Sequence, residues 1–132
     1  MTRVVVPVRY PLTTHSRHTL ERAIEVMRER EAALTVLHVD LYQAGNHVTR
    51  SDLKRAVEAS FGPLSNVRYV VRTGFLVEET ILEEVAAEGA DVVVIGAKQM
   101  GRWRTMVRRL VGDPDIESFL RDELDAQIVK AT

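Results

Sequence analysis

The chain contains no cysteine, a single tryptophan, few aromatic residues overall and no surplus of charge of either sign. Without cysteine, disulfides, thiol catalysis and Cys-ligated zinc are excluded, and a reducing compartment is compatible. Lys and Arg number 18 against 19 Asp and Glu, a formal net charge of -1, so no global field draws the protein to nucleic acid or to a membrane. Any such contact has to be local. No uninterrupted apolar run approaches the roughly 20 residues that span a bilayer. The amino-terminal run Val4-Val5-Val6-Pro7-Val8 stops at Arg9, too short for the core of an export signal. A soluble, cytoplasmic protein is expected, with neither membrane nor nucleic acid among its partners.

What is present is ordinary for a folded domain. A length of 132 residues with 45% hydrophobic content suits one domain with one core. Residues 4–8 are β-branched on both faces, the pattern of a strand covered on two sides. Leu20, Ala23, Ile24 and Met27 recur at helical spacing behind Ser16, a residue type suited to cap a helix over 17–30. A second strand is expected over 34–39, then a loop containing Gly45 and Asn46. Ser51 is expected to cap a helix built on Leu53, Ala56, Val57 and Phe61 and closed by Gly62-Pro63. A third strand over 67–71 has Arg68 and Arg72 alternating outward.

Val77, Ile81, Leu82, Val85 and Ala86 form another helical stripe, ended by Gly89, where a left-handed turn is cheap. The run Val92-Val93-Val94-Ile95 reads as a central buried strand ending at Gly96. Asp113-Pro114 opens a last helix, with Asp at the cap and Pro at the first helical position. Residues 126–130 close the sequence as a fifth strand. Strands alternating with helices imply an α/β fold, one open, doubly wound parallel sheet with helices on both faces. Ligands of such sheets bind beyond the carboxyl ends of the strands, where the winding direction reverses. The loops after the first and fourth strands therefore carry the candidate site.

Those loops cover residues 9–15 and 96–112, the second reading Gly-Ala-Lys-Gln-Met-Gly-Arg-Trp-Arg-Thr-Met-Val-Arg-Arg-Leu-Val-Gly and leading into Asp113. A first strand ending Val-Pro-Val, a later Leu-His-Val-Asp, then Val-Val-Ile-Gly and a long Gly-containing segment before a last helix and strand resemble the universal stress protein family over essentially the whole chain. The resemblance implies a five-stranded sheet of order 3-2-1-4-5 and dimerisation through the last strand, at Gln127, Ile128, Val129 and Lys130. It also implies a nucleotide site. Nucleotide-binding members carry Gly-x2-Gly-x9-Gly followed by Ser or Thr after the fourth strand, and an Asp just after the first.

Here the glycines are Gly96, Gly101 and Gly112, with four and then ten residues between them, Asp113 replaces the hydroxyl, and Arg9 replaces the family's Asp. An ionised Asp113 at a helix start would occupy the amides and dipole that a phosphate would use, and would repel it. ATP binding of the family type is accordingly not expected, and no cofactor is. The alternative is a nucleotide-binding switch, with ATP and Mg²⁺ and slow hydrolysis, held by the 96–112 segment. Lys98, Arg102 and Arg9 could supply cations to the crevice, and Val39 and Asp40 lie at the end of the second strand.

Within the same segment Trp103, Met106, Val107 and Leu110 fall at helical spacing among arginines. The stripe is expected to pack on this domain or a dimer mate, although cations beside an apolar stripe also suit nucleic acid, an anionic membrane or a partner groove. His15, His18 and His47 lack a third ligand at metal-site spacing. His38, on a buried strand, reads as a core histidine bonded to backbone. Ser16 beside His15 or His18 lacks a positioned acid. Glu78, Glu79, Glu83 and Glu84 read as a solvated helix face. The expectation is a dimeric, non-catalytic stress-response or regulatory module with unidentified protein partners.

Overall fold

The computed structural model of the chain describes residues 1–45, 47–111 and 122–131. Its elements run β1 (Arg3–Pro7), α1 (Thr14–Glu29), β2 (Ala33–Leu41), α2 (Arg50–Phe61), β3 (Val67–Gly74), α3 (Val77–Glu88), β4 (Val92–Gly96), α4 (Ala97–Val111) and β5 (Gln127–Ala131). The five strands form one parallel sheet in the order β3-β2-β1-β4-β5, as the resemblance implies. The last helix expected at Asp113-Pro114 lies outside the described residues.

Alternation along β1 divides the core. Val4 and Val6 face α1 and α2, together with Leu20, Ile24, Leu53 and Val57. Val5 faces α3 and α4, with Ile81, Val85, Trp103 and Val107. Both faces of the central strands are thus covered, which is why their sequences are continuously apolar rather than alternating.

The helix starts differ from expectation in a consistent way. Thr13, not Ser16, caps α1, its hydroxyl accepting from the Ser16 amide. Thr49, not Ser51, caps α2 in a reciprocal capping box with Asp52, satisfying two otherwise free amides. Each helix takes the earlier hydroxyl that can reach an amide three residues on. These reciprocal bonds, chiefly from the Thr49 backbone amide, hold the Asp52 carboxyl below its ordinary range. Gly89 ends α3 in the left-handed region, φ 59° and ψ 44°.

The structure refines one reading of charged residues and corrects another. Arg68 is exposed and Arg72 half-buried, and both also reach carboxylates. They lie over α3, where Arg68 pairs with Glu88 and Arg72 with Glu84, each at 2.7 Å. Glu84 is buried rather than solvated, because it shares the face of α3 that carries Ile81 and Val85.

Candidate functional site

The strands' carboxyl ends open on a crevice of about 400 Å³ between the ends of β1, β2 and β4 and the starts of α1, α3 and α4. It sits where the sheet order turns from β1 toward β2 on one side and β4 on the other, the position expected for a ligand in an open α/β sheet. Its size falls in the range of small-molecule sites. Val39, Val77 and Ile81 supply apolar wall, and Arg9, Lys98 and Arg102 supply positive charge.

Local bonds position Arg9. Its backbone amide donates to Ser16 Oγ at 3.0 Å, and the Thr13 hydroxyl donates to the same oxygen at 3.2 Å. Ser16 is therefore a brace for the β1–α1 turn. His38 contributes its ring to the inner wall, and its Nδ1 donates to the Val8 carbonyl at 3.1 Å, the backbone bond expected of it. That leaves Nε2 as the ring's other polar atom. Gly96 floors the crevice, since a Cβ there would stand 3.1 Å from Thr19 Oγ1.

The segment after β4, expected as a glycine loop containing a short basic helix around residues 102–110, is helical from its start through Val111. β4 ends at Gly96 and α4 begins at Ala97. Gly101 is consequently a helical residue outside the crevice wall, and open space surrounds its Cβ position. The helical register assigns its amide to an intrahelical carbonyl, which removes it as a phosphate donor. Only the first-turn amides of α4 remain available to an anion. Gly112 and Asp113 lie outside the described residues.

Asp40 is also absent from the crevice wall. It is buried, and its carboxylate accepts from the Val48 amide at 3.1 Å and from His47 Nδ1 at 3.3 Å, so it organises the β2–α2 connection. The structure thus brings Arg9, Val39, Gly96, Lys98 and Arg102 together and leaves Asp40 and Gly101 out. Gln99 went unnoticed in the sequence. It lines the crevice, and its Nε2 is buried with no hydrogen-bond partner among the described residues. A lone glutamine on a helix carries no periodic signal that could have singled it out.

Among the described residues, no group of three or more His, Asp or Glu could hold a metal ion, and no helix is long and apolar enough to cross a membrane.

The protein is an α/β domain with a ligand-sized crevice at its topological switch point, and its fold is that of the universal stress proteins. UspA from Lactobacillus plantarum superposes with a TM-score of 0.63 at 17% identity, over 99% of this chain and 97% of that one. A universal stress protein from Archaeoglobus fulgidus gives 0.61 at 16% identity, over 100% and 94%. A universal stress protein solved in complex with cAMP gives 0.60 at 15% identity, over 97% and 96%. No family model and no curated protein matches the chain.

Proposed function

We propose that the chain is a universal stress protein family member acting as a dimeric, non-catalytic regulatory module of the cytoplasm, and that it does not hold ATP through a glycine-rich loop. The observation that carries this reading is the direct passage from β4 into α4 at Gly96 and Ala97. A triphosphate cradle needs several consecutive backbone amides without intrahelical partners, and α4 commits those beyond its first turn to its own ladder. Dimerisation is supported by the open edge at β5. Gln127 donates its amide inward to Asp91 at 2.9 Å, so alternation turns the amides of Ile128 and Lys130 outward, available to a second chain.

A specific observation favours a second reading, a nucleotide-binding switch. Gln99, whose buried Nε2 has no hydrogen-bond partner among the described residues, lines a crevice that also holds Arg9, Lys98 and Arg102, which suits a ligand carrying both an anion and an acceptor. Arg forks suit phosphate oxygens, and one structural neighbour carries cAMP.

Thermal unfolding with and without Mg²⁺-ATP, and with cAMP, separates the two readings, because a ligand at 100 times its dissociation constant adds about 2.7 kcal/mol. The first reading expects no shift with ATP and a dimeric mass by light scattering. An ATP-induced rise that disappears in Lys98→Ala would replace it with the second. A monomeric mass would remove the dimer.

A further inference from the structure

We propose that the outer face of α4 is a docking surface for the phosphate backbone of a nucleic-acid duplex, adjoining the crevice, with which it shares Lys98 and Arg102. The sequence reading joined the arginines of this segment to its apolar stripe, and the structure separates them. Trp103 is fully buried, Val107 and Met100 are buried beside it, and the Trp103 Nε1 donates to the Glu78 carbonyl at 3.2 Å. Met100, Trp103 and Val107 are spent on the domain's own core, and the opposite face carries the helix's five cations among small residues.

At 100° per residue, Lys98, Arg102 and Arg109 fall along one border of that face and Arg104 and Arg108 along the other. Gly101 and Thr105 run between the two rows, and Ala97 lies within the row of Arg104 and Arg108. The helix contains five cations and no acid. Among the described residues Lys98, Arg102, Arg104 and Arg109 have no ion-pair partner, whereas Arg22, Arg68 and Arg72 are each paired with glutamates. Two cationic rows flanking a low central ridge complement a line of phosphates.

Chemistry selects among polyanions. An anionic membrane surface is engaged by cations next to inserted apolar side chains, whereas Met100, Trp103 and Val107 of α4 are buried in the core. A protein partner is expected to find an apolar centre within a polar rim, which this face lacks. Arginine forks match phosphate oxygens in two parallel bonds, and α4 exposes no aromatic ring on which unpaired bases could stack. Backbone contact to a duplex, without sequence preference, is what remains.

Anisotropy of a fluorescein-labelled mixed-sequence DNA duplex, titrated from about 50 to about 200 mM KCl, tests this. If Lys98, Arg102, Arg104 and Arg109 each neutralise one phosphate, log affinity falls against log salt with a slope of about -3.6. The double variant Arg104→Gln, Arg109→Gln, whose positions lie outside the crevice wall, makes the slope shallower by about 1.8. The control Lys54→Gln, Arg55→Gln, two exposed cations of α2, leaves it unchanged.

Absent binding at the lowest salt, an unaltered slope in the α4 double variant or an equal effect of the control would overturn the proposal. So would tighter retention on phosphatidylglycerol vesicles than on duplex at matched phosphate. Salt-sensitive self-association lost in the α4 variant would assign the face to a second copy and overturn it too. The slope of the unaltered protein remains a test if the variant fails to fold.

Discussion

Helices α3 and α4 pack side by side on one face of the sheet and handle charge in opposite ways. α3 faces inward with carboxylates. Glu84 and Glu88 sit under Arg72 and Arg68, and Thr35 donates to Glu88 at 2.7 Å. α4 faces inward with Trp103, Met100 and Val107 and sends its arginines out. The first arrangement spends arginine charge on holding the edge strand β3 against α3, and the second leaves it for something outside the fold. An arginine's role here is set by whether a carboxylate was placed within its reach, and its position along the chain does not announce that.

Removing the inner anchor of α4 is expected to cost most. Trp103→Ala deletes a fully buried indole and should lower stability by about 3–5 kcal/mol, read as the midpoint shift in urea. A loss below about 1 kcal/mol would mean the stripe is not core, and would restore the membrane and partner readings of this segment.

Next in size is Arg72→Ala. It leaves Glu84 buried without its closest cation, at a cost of about 2–3 kcal/mol, below the figure for a fully buried pair because Arg72 is partly in water. The same replacement at Arg104 should stay within about 0.5 kcal/mol. Equal losses at the two positions, by chemical denaturation, would erase the contrast between the helices.

The smallest effect is also the most diagnostic. Burial, with the neighbouring Glu84 carboxylate, pushes the Glu88 carboxyl above its ordinary 4.5 despite Thr35 and Arg68. Burial pushes Glu84 upward as well, but hydrogen bonds from Glu88 and Arg72 and the charges of Arg72 and Arg68 outweigh it and hold Glu84 below 4.5.

A raised carboxyl stabilises the fold fully below its unfolded value and surrenders that stability as pH climbs through the folded one. A lowered carboxyl does so above its unfolded value and loses it as pH falls through the folded one. Glu88→Gln keeps the neutral shape and removes the alkaline-side loss. Its melting temperature should match the parent's below pH 4.5 and exceed it increasingly above. A difference between the two that does not change with pH would show that burial does not raise the Glu88 carboxyl.

Much of the fold was legible because local pattern and tertiary environment agree. Residues 92–95 are apolar on both faces, and Gly89 takes the left-handed turn that glycine permits most cheaply. The caps were displaced by two or three residues because Ser16 and Thr13, or Ser51 and Thr49, are equally good capping chemistry, and only geometry chooses. Glu84 was a legible miss. Together with Glu88 it falls at helical spacing with Val77, Ile81 and Val85, so the period alone places it on the covered side. The arginines that make its burial tolerable are more than ten residues away, on strand β3.

The crevice was legible in outline and not in detail. Sheet winding pointed to the ends of β1 and β4, and Arg9, Gly96, Lys98 and Arg102 are found there. Gly101 was misplaced because a motif spacing says nothing about whether the backbone between its residues is loop or helix, and Asp40 because its carboxylate is taken by the Val48 amide and His47. In this chain Met100, Trp103 and Val107 gain more by packing on Ile95 and Ile81 as one continuous helix than a loop would allow.

By itself the sequence determined the layered α/β architecture and the end of the sheet where a ligand belongs, because hydrophobic period and turn chemistry act over a few residues. The tertiary structure alone decided which arginines are neutralised, which amides remain unbonded and which side of α4 meets water. Those outcomes depend on pairings across the sheet, where distance in space is unrelated to distance along the chain.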